Sequence, residues 1–274
     1  MKWIILLMFA ATNLYGQTSL SENELAVKSR EIKKEGLLLY RLEKASWKGT
    51  DLFIEKYSMP IGVGGYFSYP IGNKTRFVFV SNEDDPKIMF SADYDSTFSK
   101  ETVESNNERR SLSSLEKEYF FLRRKVRDSI VNCPIVKWYQ NTNFNIVPII
   151  EKDRHIAYIM TGSKDNGTVY FGNDYLVIFD KNNKIELINK LHEGLIPIDV
   201  RPEHLSDSTI GCIHNHLPYY SSFITPTDIC TSMLYQYNKN IKQISIVSNK
   251  YVSIWNSETT GLVIVPLRRD TKKD

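Results

Sequence analysis

The chain has 274 residues, 42% of them hydrophobic and 12% aromatic, a composition that predicts a folded globular protein of one large or two modest domains. Its 35 basic and 32 acidic residues nearly balance, so we expect no nucleic-acid binding driven by phosphate contacts. Three cysteines without a CxxC spacing predict neither a disulfide framework nor a structural zinc motif. Cys212 and Cys230 flank a histidine motif, where they are either neighbours or separately buried small residues.

Residues 1–16 have the pattern of a signal peptide. Lys2 supplies the positive charge, an apolar stretch follows from Trp3 to Ala11, and the small residue Gly16 precedes Gln17. A short buried helix is the alternative, because about nine apolar residues are too few to span a bilayer. No later segment is long and apolar enough to do so. We therefore expect an exported chain, periplasmic or secreted, without a transmembrane segment.

Residues 17–140 predict an N-terminal α+β region of unknown role. Ser21 and Glu24 form a capping box that opens a helix running to about Ala45, with Gly36 weakening it. Its apolar residues recur every seven positions, at Leu25, Ile32 and Leu39. The aromatic and β-branched residues from Gly62 to Phe90 predict β-strands. Two of these strands, residues 66–70 and 76–80, are predicted to form a hairpin.

A polar stretch over residues 91–110 is the least ordered-looking part of the interior. Ser113 then opens a second helix, which ends before Pro134. One face of this helix is apolar and is predicted to be core: Leu115, Tyr119, Leu122, Val126 and Ile130. The interruption of the pattern at residues 134–142 predicts a boundary between two domains, 17–140 and 141–274.

Residues 141–274 predict mostly strands. The expected strands cover residues 145–150, 155–160, 169–179, 184–191, 209–213, 243–247, 251–255 and 261–266, and a helix runs from Pro226 to about Tyr237. Residues 180–183 form a hairpin turn between two of these strands. Together the elements predict an α/β fold with a mixed sheet and flanking helices in this half.

The segment His214-Asn-His216, followed by Thr225-Pro-Thr-Asp228, carries the clearest chemical signal. Alternate side chains of a strand share a face, so both imidazoles project together from its end. Asp228 falls in the first turn of a helix capped by Thr225. This predicts a divalent metal site of two histidines and one carboxylate for Zn²⁺, with the open fourth position of a catalytic zinc site. The alternative is an ordinary helix start beside surface histidines.

This motif resembles the JAMM signature of the JAB/MPN metalloprotease superfamily, and its surroundings over about residues 145–260 are similar to the RadC-like branch. The resemblance implies that His214, His216 and Asp228 bind zinc and that the residue three positions before the aspartate stabilises the oxyanion. Thr225 stands where the family usually has serine. The loop from His216 to Thr225 is one residue longer than the usual spacing.

The family's upstream glutamate, which serves as general base, has no counterpart here. One register places that position at Asn173-Asp174 and another at His155. We take Asp174 as the substitute base, with Glu151 as the second choice and a turn residue before a strand as the alternative role for Asp174. The remaining candidates are a possible additional ligand, His192, and two carboxylates expected to be solvated, Glu186 and Glu193.

Two functions follow from this sequence. The first is an exported zinc-dependent hydrolase that acts on an amide or isopeptide bond of a peptide or protein substrate, with Asp174 and Thr225 as catalytic residues. The second is a catalytically inactive JAMM-like scaffold that binds a protein partner in the cell envelope. The missing glutamate supports the second function, and the metal motif supports the first.

Overall fold

The computed structural model describes residues 20–57, 62–201, 210–239 and 241–267. The predicted signal peptide lies outside them. The described chain is a mixed α/β structure with three helices and a majority of strands. No helix among these residues is long and apolar enough to cross a membrane.

The first helix, α1 (Glu22–Tyr57), extends well past the predicted end near Ala45. The Ser21–Glu24 capping box is present, since Ser21 N–H donates to Glu24 Oε2 at 2.8 Å and Glu24 N–H to Ser21 Oγ at 3.4 Å. The helix continues because Leu52 and Phe53 extend its buried stripe. Gly36 lies where α1 meets the third helix, and a Cβ there would approach Ile229 Cβ to 2.8 Å.

The N-terminal strands form a five-stranded antiparallel sheet. Its members are β1 (Val63–Ile71), β2 (Lys74–Ser81), β3 (Lys87–Tyr94), β4 (Glu104–Asn106) and β5 (Arg110–Ser111). The predicted hairpin is confirmed as β1–β2, paired from Ile71 and Lys74. The polar stretch 91–110 contains the end of β3 and two short strands, so it is more regular than its composition predicts.

The second helix, α2 (Ser114–Ile130), begins with the predicted capping box of Ser113 and Glu116. Tyr119, Leu122, Val126 and Ile130 are buried, as predicted. The prediction for Leu115 is wrong, because 44% of this residue is exposed. Leu115 lies in the first turn of α2, whereas Phe120, which the predicted stripe omits, is buried with Tyr119 against the N-terminal sheet.

The C-terminal half begins with the strands β6 (Thr142–Glu151), β7 (Arg154–Ser163), β8 (Thr168–Gly172), β9 (Tyr175–Phe179), β10 (Ile185–Lys190) and β11 (Leu195–Asp199). One sheet has the order β10-β9-β7-β6, and β8 pairs with β11 in another. The prediction of a single strand over residues 169–179 is therefore wrong. The extended conformation ends before Asn173, and the strands on the two sides of this bend, β8 and β9, join different sheets. Gly172 and Asn173 have positive φ angles of 85° and 53°, which end the extended conformation.

The last sheet has the order β12-β13-β14-β15, formed by β12 (Ile210–Asn215), β13 (Ile241–Val247), β14 (Tyr251–Asn256) and β15 (Gly261–Pro266). β12 and β13 run parallel and the others antiparallel, so this sheet is mixed, as predicted. The crossover between β12 and β13 contains α3 (Pro226–Lys239), whose buried Ile229 packs against this sheet and against Ile32 of α1.

Helix α1 contributes to the cores of both halves. Leu39 and Leu42 pack with β6 and β7, while Ala45 and Phe53 pack against the N-terminal sheet. The division at residues 140 and 141 stays a prediction, but the packing shows that the predicted N-terminal region supplies part of the C-terminal core. All three cysteines are free, and Cys212 and Cys230 are buried.

Candidate metal site

The two motif histidines lie at the carboxyl end of β12, on the same side of the strand. Cys212, His214 and His216 are buried, whereas 74% of Ile213 is exposed, as the alternation of a strand requires. The pairing with β13 continues past the strand, since His216 N–H donates to Val247 O at 2.9 Å. The predicted projection of both imidazoles to one face is confirmed.

Asp228 lies in the first turn of α3 and is fixed there by Thr225. Its backbone N–H donates to Thr225 Oγ1 at 3.2 Å, and its Oδ2 accepts from Thr225 N–H at 2.9 Å and from Thr225 Oγ1–H at 2.7 Å. This is a capping box with aspartate in the glutamate position. The helix dipole also stabilises a carboxylate at this end. Asp228 Oδ1 is therefore left to face the histidines.

Three imidazoles and this carboxylate converge. His192 joins the two motif histidines, and one ligand atom from each of His192, His214, His216 and Asp228 lies within 4.8 Å of all the others. The cluster could thus hold a metal ion, and it contains three of the five histidines of the chain. All four residues are buried, with exposed fractions of 9% or less.

The separations within the cluster are those of ligands around one ion. His214 Nε2 lies 3.3 Å from His216 Nε2, and Asp228 Oδ1 lies 3.3 Å from His192 Nε2 and 3.4 Å from His214 Nε2. Zinc–nitrogen bonds of about 2.0–2.1 Å give a tetrahedral ligand–ligand edge of about 3.3 Å. Asp228 Oδ1 makes no hydrogen bond with the described residues. Donor types and spacing both fit zinc.

The backbone sets the orientation of one ring. His216 Nδ1 lies 3.0 Å from Ser221 O, so the proton belongs on Nδ1 and the lone pair on Nε2 points into the cluster. Partners of this kind fix the tautomer of a metal-binding histidine. Burial also lowers the pKa of His216, which keeps the ring neutral and able to bind a metal.

The buried carboxylate of Asp228 needs a balancing positive charge. Burial alone would raise the pKa of Asp228, but His192 and His214 hold it well below its usual value. Burial alone would lower the pKa of His192, but Asp228 and Asp174 raise it. A buried carboxylate thus keeps its negative charge among imidazoles, and either a proton on a histidine or a metal ion can balance it.

A cavity of about 180 Å³ reaches the cluster. It is lined by all three histidines and by Glu193, Leu217 and Tyr220 among others. Glu193 is exposed and accepts from Tyr220 Oη–H, while Lys190 and Lys137 lie 3.2 and 3.3 Å from its carboxylate oxygens. These partners lower its pKa to about 2. The cavity gives a small molecule or a peptide segment a path to the histidines.

The two predicted catalytic residues, Asp174 and Thr225, contact side chains of the cluster, but neither lines the cavity that reaches the histidines. Burial raises the pKa of Asp174 to about 6, and the Oδ2 atom of this residue is 3.5 Å from His192 Nδ1. The Thr225 hydroxyl is buried and engaged with Asp228 and with Thr227 Oγ1, at 2.9 Å. Their catalytic roles stay predictions, while their contacts are those of residues that position other side chains.

The other candidate bases make contacts elsewhere. His155 Nδ1 lies 2.6 Å from Asn183 Oδ1, and Glu151 pairs with Arg154 at 3.0 Å. Glu186 is exposed on β10. His192 was predicted only as a possible additional ligand, because a single histidine after a strand has no local pattern that marks it. The pairing of distant strands brings it to the cluster.

Comparison of the chain with protein-family models, with curated proteins and with solved structures gave no match. The resemblance to the JAMM signature therefore rests on the motif and on its surroundings in the sequence. The chemistry of the site has to be argued from the geometry of the cluster.

Proposed function

We propose that the chain is a zinc-dependent hydrolase of the JAMM type that acts on an amide or isopeptide bond. The observation that supports it is the convergence of His214, His216 and Asp228 at ligand spacing beside a cavity. A zinc ion held there supplies Lewis-acid chemistry, which polarises a carbonyl oxygen and brings the pKa of water toward neutrality. A JAMM-like fold of residues 141–274 is part of the same proposal.

The residues of the chain have three tasks in this proposal. His214, His216 and Asp228 bind the ion, with His192 beside them. Ser221 O orients His216, and Thr225 holds the Asp228 carboxylate so that one oxygen faces the histidines. The cavity admits the substrate, and the buried surroundings of the cluster exclude bulk water, which strengthens electrostatic interactions at the reacting bond.

A specific observation favours a second function, that of a catalytically inactive scaffold binding a protein partner. Glu193 lines the cavity, but its two lysine partners and Tyr220 make it a weak base. Asp174 faces His192 and not the cavity. Among the residues that the structure describes, the cavity lining has no unpaired carboxylate to take a proton from water.

The partner in either case would be a peptide or protein. Export to the periplasm or beyond is proposed from the leader pattern alone. It would make cell-wall peptides or extracellular proteins the available substrates, and envelope proteins the available partners.

The first experiment measures the metal content of the purified chain by plasma mass spectrometry, beside a His214→Ala/His216→Ala double variant. His155→Ala is the matched control, since that histidine contacts Asn183 outside the cluster. We expect about one zinc per chain in the wild type and the control and none in the double variant. No bound metal in the wild type, even after zinc is supplied, would overturn the metal site and the hydrolase.

Substrate tests then separate the two functions. Cleavage of peptide or isopeptide substrates by the zinc-loaded chain, lost in the double variant, supports the hydrolase. Stoichiometric zinc without cleavage of such substrates assigns the scaffold.

A further inference from the structure

Two bends of the backbone, at residues 172–174 and 191–194, lie opposite each other beside the cluster of histidines and Asp228. The pairing of β8 with β11 ends at Gly172 and Leu195, and the pairing of β9 with β10 resumes at Tyr175 and Lys190. Between them, Asn173 N–H donates to Gly194 O and Leu191 N–H donates to Asp174 O, each at 2.8 Å. Both strands of one long antiparallel pair therefore bend at the same level, and hydrogen bonds hold the bend on each side.

Gly172 is required for this close approach. Its φ angle is 85°, and a Cβ at this position would lie 2.4 Å from Gly194 O and 3.3 Å from His192 Cβ. Any other residue would push the two bends apart. The backbone is thus shaped to bring His192 against the segment that contains Asp174.

The two side chains are fixed from both directions. Asp174 is 3% exposed and His192 is 5% exposed. Asp174 Oδ1 accepts from Thr161 N–H at 3.0 Å, and Thr227 also bonds to the carboxylate. The other oxygen, Oδ2, lies 3.5 Å from His192 Nδ1, a buried nitrogen without a hydrogen bond among the described residues. On the far side of the same ring, Nε2 lies 3.3 Å from Asp228 Oδ1.

We propose that His192 is a fourth metal ligand and that Asp174 is the residue that positions it. A carboxylate at Nδ1 favours the proton on that nitrogen and directs the Nε2 lone pair to the ion, the arrangement that commonly supports a metal-binding histidine. This inference rests on the proposed metal site and deepens it. It also gives Asp174 a task other than that of a base, since the His192 ring stands between its carboxylate and the other ligands.

The chemical consequence concerns access to the ion. Three histidines and one aspartate supply the four donors of a tetrahedral zinc site, and closed shells of this kind are typical of structural zinc. A substrate or water then reaches the ion only through an added fifth position or by displacing His192. Removal of His192 therefore opens the shell and leaves His214, His216 and Asp228 to hold the ion, whereas removal of both His214 and His216 leaves two donors, too few for the site.

The test uses the full chain loaded with Co²⁺, whose visible absorption is intense in a four-coordinate site and weak when water raises the coordination number. Zinc affinity is measured in parallel by competition with a chelator. The variants are His192→Ala and Asp174→Asn. Asparagine at 174 keeps an oxygen for Thr161 N–H but turns an amide donor toward His192 Nδ1. Asp180→Asn is the control, because Asp180 fixes a turn through two backbone N–H groups.

We expect an intense spectrum in the wild type and the control, and a weaker, shifted one in His192→Ala. Zinc affinity should fall by about 10- to 100-fold in Asp174→Asn, as is usual when a ligand's supporting partner is lost. Thermal unfolding of the metal-free proteins shows whether a variant is simply misfolded; for Asp174→Asn, a metal-free midpoint near that of Asp180→Asn assigns the affinity loss to the site.

Unchanged spectrum and affinity in His192→Ala would overturn the fourth ligand. Unchanged affinity in Asp174→Asn would overturn the positioning role. Both results differ from failure of the proposed function, in which the wild-type chain binds neither Co²⁺ nor zinc.

Discussion

Glu43 is an ionisable side chain in the core, on the face of α1 that points toward α2 and α3. It is 1% exposed; its Oε1 accepts from Trp47 Nε1–H at 2.8 Å, and its Oε2 makes no hydrogen bond with the described residues. Burial raises the pKa of Glu43 to about 7, although Trp47 and the charge of Arg123 on α2 oppose the change. The other titratable groups that face it are Tyr66, Cys230 and Tyr235.

The perturbation is Glu43→Gln, which keeps the shape and the acceptor for Trp47 but removes the charge. The folded pKa of about 7 lies above the value of 4.5 for an exposed glutamate. Folding therefore binds a proton between these values, and stability falls as pH rises from 4.5 to 7 and stays constant above. At about 1.4 kcal/mol per pKa unit, the charged side chain destabilises the fold by about 3 kcal/mol at pH 8.

The assay is urea unfolding at pH 4.5, 6 and 8. We expect Glu43→Gln to unfold at nearly the wild-type midpoint at pH 4.5 and to be more stable by about 3 kcal/mol at pH 8. Glu31→Gln, at an exposed position of the same helix, should show no such trend. A stability difference that does not change with pH, or a Gln variant less stable at pH 8, would refute the reasoning.

Three further predictions follow from packing, an ion pair and metal binding. Gly49→Ala should lower stability by about 1–3 kcal/mol, because a Cβ would lie 2.1 Å from the Phe77 ring, and Gly211→Ala, with open space, is the control in thermal unfolding. Glu116→Gln should lower stability by about 2–3 kcal/mol at pH 7 but little at pH 2, because Arg110 and the helix start lower the pKa of Glu116 to about 2 despite burial. The loss reflects the ion pair with Arg110, since glutamine can still complete the capping box. Added zinc should raise the melting temperature and a chelator should reverse it, with no effect in the double histidine variant.

Local patterns in the sequence were sufficient for much of the fold. Both capping boxes, at Ser21 and at Ser113, begin helices as predicted, because the groups that satisfy each helix start lie within three residues of it. The alternation of side chains from the predicted strand 209–213 into the histidine motif correctly placed His214 and His216 on one face. The end of α1 was missed, because packing of Leu52 and Phe53 against the N-terminal sheet extends the helix past Gly49.

The sequence by itself determined that two histidines and an aspartate share a strand end and a helix start, since each of these placements depends only on near neighbours. Tertiary structure alone decided that His192 joins them and that Asp174 lies behind it. Gly172-Asn173-Asp174 is a turn signal that the prediction of one strand overlooked, but only the tertiary structure decided that residues 168–172 and 175–179 pair with different strands. Such pairing depends on contacts between distant segments, which no local periodicity records.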